Sequence, residues 1–475
     1  MKKHLCAVVT AACLASCSLE PVYTRPAASV SPQFPTGAAY QDLTHPGALP
    51  AADVGWRDFL GDPRLQRLVE IALENNRDLR VAALNVEQAQ AQYRIQRAAL
   101  IPSVGGFAQQ VAARDPTTSA IMNRSEEVGL SASWELDFFG RLSSLSHAAL
   151  DQYFATEEAR RAAQILLVSQ VADQYLTMLS LDDQLEVTRQ TLASAQASSK
   201  IVKLQFDTGT ANALALDQAQ SVVELANTNL DAQIRMRAQA ENALVLLLGE
   251  PLPADLPPGL PLDDQKILAD IPGGLPSDLL QRRPDILQAE AQLRAENADI
   301  GAARAAFFPN VSLTASLGTA STQLSGLFGA GSRAWTFLPS LTLPIFEGGA
   351  LRANLDVATV QKDIGVAQYQ KAIQSAFREV ADELAARGTY DDQLAAQERY
   401  TATQQRSLAL ALSFYKNGID DYLQVLTAQT NLYSAQLTLV TTRLARLTSL
   451  VDLYQALGGG WLEHTGHPAE KVAHG

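Results

Sequence analysis

The sequence predicts a mainly α-helical protein that also carries transmembrane β-strands, built as two copies of one architecture. Three observations predict it. The chain repeats itself: Arg97-Ala98-Ala99 followed by Pro102-x-Val104 recurs 207 residues later as Arg304-Ala305-Ala306 followed by Pro309-x-Val311. Two stretches, 134 residues between Pro116 and Pro251 and 123 between Pro344 and Pro468, contain no proline and are rich in Ala, Leu, Gln, Glu and Arg, strong helix formers. Four short segments alternate apolar and polar residues over about ten positions, the pattern and length of tilted membrane-spanning strands.

The duplication runs further. Ser133, Leu136 and Phe139 recur as Ser340, Leu343 and Phe346; Gly209, Leu214, Ala219, Gln220, Ala226 and Leu230 recur 209 residues on as Gly418, Leu423, Ala428, Gln429, Ala435 and Leu439. Two copies of about 200 residues make a duplicated domain pair and not a solenoid.

The first sixteen residues read as a signal peptide. Lys2 and Lys3 precede a short apolar run, and Leu14-Ala15-Ser16-Cys17 resembles a bacterial lipobox. Cys6 and Cys13 leave with the signal, so Cys17 is the one mature cysteine and the expected lipidation site. Packing without disulfides must then stabilise an exported chain. Ser18 is not the Asp of an inner-membrane retention signal, so sorting is expected to the outer membrane. Removing Lys2 and Lys3 takes the net charge from −13 to −15, which argues against nucleic acid as a partner. Hydrophobic content is 47 %, yet no run approaches the eighteen apolar residues of a spanning helix. Any membrane crossing therefore falls to strands.

Residues 17–60 read as an extended arm, 61–250 as the first repeat, 251–277 as a Pro-rich linker, 278–460 as the second repeat and 461–475 as a disordered tail. Within the repeats, strands are expected at about 103–113, 127–138, 310–318 and 334–345, joined by loops 114–126 and 319–333. Long helices are expected at 141–205 and 349–414, each about 100 Å at 1.5 Å per residue. Shorter ones return at 211–248 and 420–457, and continue as 278–308 and 64–101. Phe206-Asp-Thr-Gly209 and Tyr415-Lys-Asn-Gly418 are the turns, where Gly can end a helix. Heptad stripes, Leu423-Leu426-Thr430-Tyr433-Leu437-Val440 and Leu216-Ala219-Val223-Ala226-Leu230, predict coiled-coil seams. Ser131, Ser133, Glu135, Ser312, Thr314 and Ser316 fall on one strand face, Leu130, Trp134, Leu313 and Leu317 on the other. Four strands cannot close a barrel, and unpaired strand edges are not tolerated in lipid, so several chains must share one.

Catalytic chemistry has no constellation to rest on. Five of the six histidines lie in the signal, arm or tail, and His147 has no Cys or second His near it in sequence. No enzyme activity, cofactor or metal is expected. A lipid-tethered periplasmic coiled-coil scaffold or adaptor is the competing class.

Several local motifs carry a family resemblance over roughly 56–460: Trp56-Arg-Asp-Phe59 with Gly61-Asp62-Pro63, Trp134-Glu-Leu-Asp-Phe-Phe-Gly140, Gln281-Arg-Arg-Pro-Asp285, Leu343-Pro-Ile-Phe-Glu-Gly348 and Tyr415-x-x-Gly418-x-x-x-Tyr422-Leu423. The chain resembles the TolC-like outer-membrane efflux proteins, in particular the lipoprotein branch that serves RND-type multidrug pumps. The resemblance implies a homotrimer with a twelve-stranded β-barrel continued by a long α-helical barrel. It implies as partners a periplasmic adaptor (membrane fusion) protein, an inner-membrane RND transporter and outer-membrane lipid. The implied function is an exit duct for drugs or other small molecules; the duct of a type I protein secretion system shares the fold. The resemblance also places a periplasmic aperture and adaptor-docking site at Gly209, Tyr415 and Gly418, with an apolar constriction at Leu423 and an acidic position at Thr427. Thr427 departs from that pattern, as does Thr430, an Arg in some relatives. Asp217, Asp420 and Asp421 are the nearby acids. The two last can line the mouth or cap the returning helix, with Asp420 favoured over Asp421 as the cap.

Overall fold

The computed structural model describes residues 18–40, 49–114, 121–269 and 276–466. The signal peptide, Cys17 and residues 467–475 lie outside the described residues. The principal elements are α1 (Pro63–Asn75), α2 (Arg77–Ala98), β1 (Ser103–Arg114), β2 (Ile121–Leu136), α3 (Arg141–Asp207), α4 (Ala213–Leu248), α5 (Pro276–Arg282), α6 (Pro284–Ala305), β3 (Asn310–Ser321), β4 (Arg333–Thr342), α7 (Ala350–Lys416) and α8 (Tyr422–Ala456). The chain forms two compact units, one of residues 1–28, 84–158 and 287–372, the other of 29–83, 159–286 and 373–475.

The first unit contains one antiparallel sheet in the order β1-β2-β3-β4. The register places Leu130 opposite Leu317 and Leu317 opposite Trp335, with Trp134 opposite Leu313 and Leu313 opposite Pro339. The other face aligns Ser103, Ser133, Thr314 and Leu338, and beside them Ser131, Ser316 and Thr336. Ser103 and Ser133 hydroxyls lie 2.8 Å apart and those of Ser316 and Thr336 2.7 Å apart. Strand period two thus sorts the sheet into an apolar and a polar face, with Phe107, Val111 and Leu338 the large apolar exceptions on the polar one. The strands run further toward the loops than expected: β2 begins at Ile121 and β3 reaches Ser321. Backbone pairing extends past the end of the alternation, which reports only on faces. β4 stops at Thr342, short of 345, because Pro344 cannot donate to a ladder.

The resemblance motif after β2 is a strand-to-helix joint. Gly140 has φ +73°. Asp137 accepts from the Leu142 and Ser143 amides at 3.1 and 2.7 Å, capping α3, and Arg141 donates to Glu135 at 2.8 and 2.9 Å. The arm packs in the same unit. Arg304 donates to the Leu19 carbonyl, Asn297 to that of Pro21 at 2.7 Å, and Arg25 makes a forked pair with the buried Glu290.

α3 and α7 are each 67 residues long, and in the second unit their stretches from 159 and 373 onward run beside α4 and α8. The expected stripes are buried at Ala219, Ala226, Ala240 and Leu244 in α4 and at Leu426, Val440, Leu447, Val451 and Tyr454 in α8. Small and polar residues are buried with them: Gln233 joins Ala219, Ala226 and Ala240 in α4, and Ala428, Ala435, Thr442 and Ser449 follow in α8, every seventh residue and 209 apart. Leu216, Val223, Leu230, Tyr433 and Leu437 are half-buried flanks, while Leu423 and Thr430 are exposed. Small residues let helices approach until the backbone is in reach: Gln174 donates to the Ala240 carbonyl at 2.9 Å and Gln397 to that of Ala435 at 3.0 Å.

Two helices expected as continuous are broken. Asn76, with ψ 129°, ends α1, and its Oδ1 accepts from the Leu79 amide at the start of α2. Arg283 separates α5 from α6 because Pro284 disfavours helical backbone in the residue before it. Its buried guanidinium pairs with Asp285 and Glu379 and donates to the Ala456 carbonyl. Residues 51–59, placed in the extended arm, form a 3₁₀ turn and the helical turn Trp56–Phe59. Phe59 stacks on Tyr454 with centroids 3.9 Å apart, and Tyr454 donates to the Val54 carbonyl. Buried Asp62 caps α1 and accepts from Tyr175, the Leu260 amide and Gln265. The disordered tail expected from 461 is corrected for its first residues: Trp461 lies under Arg160 and Arg161, and Thr465 bonds Asp58 at 2.6 and 2.8 Å.

Candidate gate at the paired helical turns

Two helix ends carry the expected site residues. α3 ends as Gly209 enters the left-handed region at φ +77°, its amide bonded to Phe206 and that of Thr210 to Gln205. α7 ends the same way at Gly418, φ +69°, with amide bonds from Gly418 to Tyr415 and from Ile419 to Phe414. Both are six-to-one closures of the Schellman kind, which favour Gly. No atom lies within 4 Å of where a Cβ would stand at either glycine, so the demand is on the backbone and not on space.

The returning helices are capped by side chains. Asn212 Oδ1 accepts from the Ala215 amide at 2.9 Å, and Asp421 Oδ1 from the Gln424 amide at 3.3 Å. The cap is therefore Asp421 and not Asp420. The helix begins at Tyr422, and a cap must stand immediately before it to reach the third amide. Asp217 and Asp420 are exposed, with no hydrogen bond or ion pair among the described residues.

Behind the turns, Val202, Ala219, Tyr422, Val425 and Leu426 form a buried cluster, flanked by Leu408, Leu412 and Tyr415. One residue from each of α3 and α4 thus meets three from α8. Tyr415 and Tyr422 rings are 5.3 Å apart and tilted by 55°, and the Tyr415 hydroxyl donates to Gln205 Oε1, tying the second turn to the first. Burial raises the Tyr422 pKa, against the lowering effect of its hydrogen bond with Ser198. Leu423 points out of this cluster at 49 % exposure. Thr427 is also exposed, and its hydroxyl donates to the Leu423 carbonyl. The structure joins Tyr415 to the core, leaves Leu423, Thr427, Asp217 and Asp420 free on the surface, and gives Asp421 a capping role.

A second group of charges was not singled out in the sequence. Asp173 on α3, Glu383 on α7 and Asp452 on α8 are coupled carboxylates. Burial, then repulsion from Asp452 and Glu383, pushes Asp173 up to about 8; burial and Asp452 push Glu383 up to about 7; burial raises Asp452. Asp173 Oδ1 is shut from solvent without a hydrogen bond. Each acid stands on its own helix among ordinary surface charges, so no spacing in the sequence links them. Among the described residues no group of His, Cys, Asp or Glu could hold a metal ion.

The comparisons with known proteins agree with this geometry. The Outer membrane efflux protein family matches residues 68–250 and 275–459, one match to each copy of the duplication. The chain is 47 % identical to a probable efflux pump outer membrane protein, TtgC of Pseudomonas putida, over 99 % of this chain and 98 % of the relative. It is 46 % identical to outer membrane protein OprJ of Pseudomonas aeruginosa, over 96 % of each. The open-state structure of the Neisseria gonorrhoeae MtrE outer membrane channel superposes with a TM-score of 0.86 at 39 % identity, covering 95 % of this chain and 100 % of that one. Two helical turns in tandem copies, a four-stranded sheet with one apolar face and these matches lead to one conclusion: the chain belongs to the outer membrane efflux protein family, resides in the outer membrane and has the fold of that family's trimeric channels.

Proposed function

We propose that the chain is the exit duct of a tripartite efflux pump and passively conducts small molecules from the periplasm to the exterior. One observation carries this reading: the sheet has an apolar face and two unpaired edges, β1 and β4, which only further copies can close in lipid. Three copies give twelve strands, the even-numbered closed barrel that membranes accept. The turns at Gly209 and Gly418, with Leu423 exposed beside them, then form the aperture and the surface on which an adaptor's helical hairpins dock. An RND transporter in the inner membrane selects the cargo, because a passive duct imposes little selection of its own.

Deleting the gene in its host should raise intracellular accumulation of a dye or drug exported by an RND transporter, and the wild-type chain should restore export. Restoration of protein secretion in place of drug export would assign the duct to a type I secretion system. A chain that is extracted without detergent and forms no pores in planar bilayers would be a periplasmic scaffold.

A further inference from the structure

The outward face of the sheet changes character at one level. On β2 the residues on this face run Leu136, Trp134, Ala132, Leu130 and Val128, then Glu126 and Arg124. Neighbouring strands switch within one row of it: Gln110 follows Ala108 opposite Glu126, while Thr319 and Arg333 already stand in the row of Val128 and Ser321 pairs with Glu126. From Leu136 to Glu126 the strand advances about 25 Å along the membrane normal at ordinary rise and tilt, the height of a barrel's apolar band. The polar row therefore meets the outer-leaflet headgroups.

At this row the structure has a built recess. A cavity of about 440 Å³ is lined by Arg124, Glu126, Gln110, Val128 and, from the β3–β4 loop, Leu327 and Phe328. The loop folds back over the face: a Cβ on Gly326 would stand 2.6 Å from Ser321 Oγ. Glu126 is only 4 % exposed. Its Oε1 accepts from Arg124 Nε and Nη2 at 3.0 and 2.6 Å and from Gln110 at 3.2 Å, while its Oε2, shut from solvent, has no donor among the described residues. A buried carboxylate oxygen left without a donor is costly, and a ligand hydroxyl or amine would satisfy it. Arg124 spends one edge on Glu126, and Arg333, outside the cavity's lining in the row of Thr319 and Val128, makes no hydrogen bond or ion pair among the described residues. Both suit phosphate. Phe328, 80 % exposed, stands where an acyl chain or sugar ring would cover it.

We propose that this recess and the sheet beside it bind the headgroup of an outer-leaflet phosphoglycolipid, with one phosphate on Arg124 in the recess and a second on Arg333 beside it, a sugar hydroxyl or amine on Glu126 Oε2, and the acyl chains on Leu130, Leu317 and Trp335 below. The site rests on the outward assignment of the apolar face and not on the pump reading, so it stands or falls separately from cargo and partners. Full-length protein is reconstituted in phosphatidylethanolamine vesicles containing either a bisphosphorylated glucosamine lipid or its dephosphorylated form. After mild extraction, retained lipid is measured by mass spectrometry. The phosphorylated lipid should be retained about tenfold over the dephosphorylated one, and Arg124→Gln with Arg333→Gln should abolish that preference. Glu126→Gln should weaken retention of both lipids, since the phosphate contacts remain. Equal retention of the two lipids by the wild-type protein overturns the proposal whether or not any variant assembles. Wild-type retention in a Glu126→Gln protein of normal conductance overturns the carboxylate's role.

Discussion

Gly209 and Gly418 sit in open space, yet each holds a backbone conformation that strains any other side chain. Gly209→Ala and Gly418→Ala should each destabilise the chain by about 1–2 kcal/mol, read as a lower thermal midpoint with conductance intact. Equal midpoints would mean that the turns rearrange freely. Among the acids, the structure separates roles the sequence left open. Asp421→Ala should cost about 1 kcal/mol by removing the cap, and Asp421→Asn little. Asp420 has no structural duty, so a loss of cation selectivity in Asp420→Asn would assign it to the mouth. If the selectivity ratio is unchanged in Asp420→Asn/Asp421→Asn, no acidic ring exists there and exposed Leu423 is left as the closure. Choosing between the two aspartates needed the first helical residue, Tyr422, which adjacent positions in a sequence do not fix.

At the scale of elements, the alternation in the strands was legible because a side chain's face follows from its parity, a local rule. The register then aligned the four strands as that rule requires. Arg at Leu313, on the apolar face, should cost about 2–4 kcal/mol near the midplane, whereas Arg at Thr314 should be tolerated; denaturant titration of refolding into vesicles reads both. The helical seams were only half legible. The seven-residue period and much of the stripe were correct, whereas Gln233, Thr442 and Ser449 are buried at positions an apolar pattern does not pick out. The carboxylates of α3, α7 and α8 were not legible at all. Their folded pKa values lie above the unfolded ones, so the folded state binds the extra protons. The stability they contribute is full below the unfolded carboxylate range and is lost as pH rises through about 7 and 8. The melting temperature should therefore fall between mildly acidic and mildly alkaline buffer, and Asp173→Asn should flatten that slope. An identical slope in Asp173→Asn would mean the three acids are solvated separately.

For the whole molecule, we propose that an acylated Cys17 adds a second membrane attachment to the four-stranded sheet, since stable anchoring generally takes two. Mass spectrometry of the mature N-terminus should find Cys17 acylated; Cys17→Ser should still give a heat-modifiable trimer, because the strands remain. The sequence by itself determined the duplication, the long helices, the four strands and the positions of the turns, since each is written in proline placement or in a period of two or seven. Tertiary structure alone decided which aspartate caps, which polar residues join the seams, where Asn76 and Arg283 break the helices, that Trp461 and Thr465 are packed, and that three acids distant in sequence repel one another. All of these depend on what covers a residue from another part of the chain, and hydrophobic pattern records only that a residue is covered, not by what.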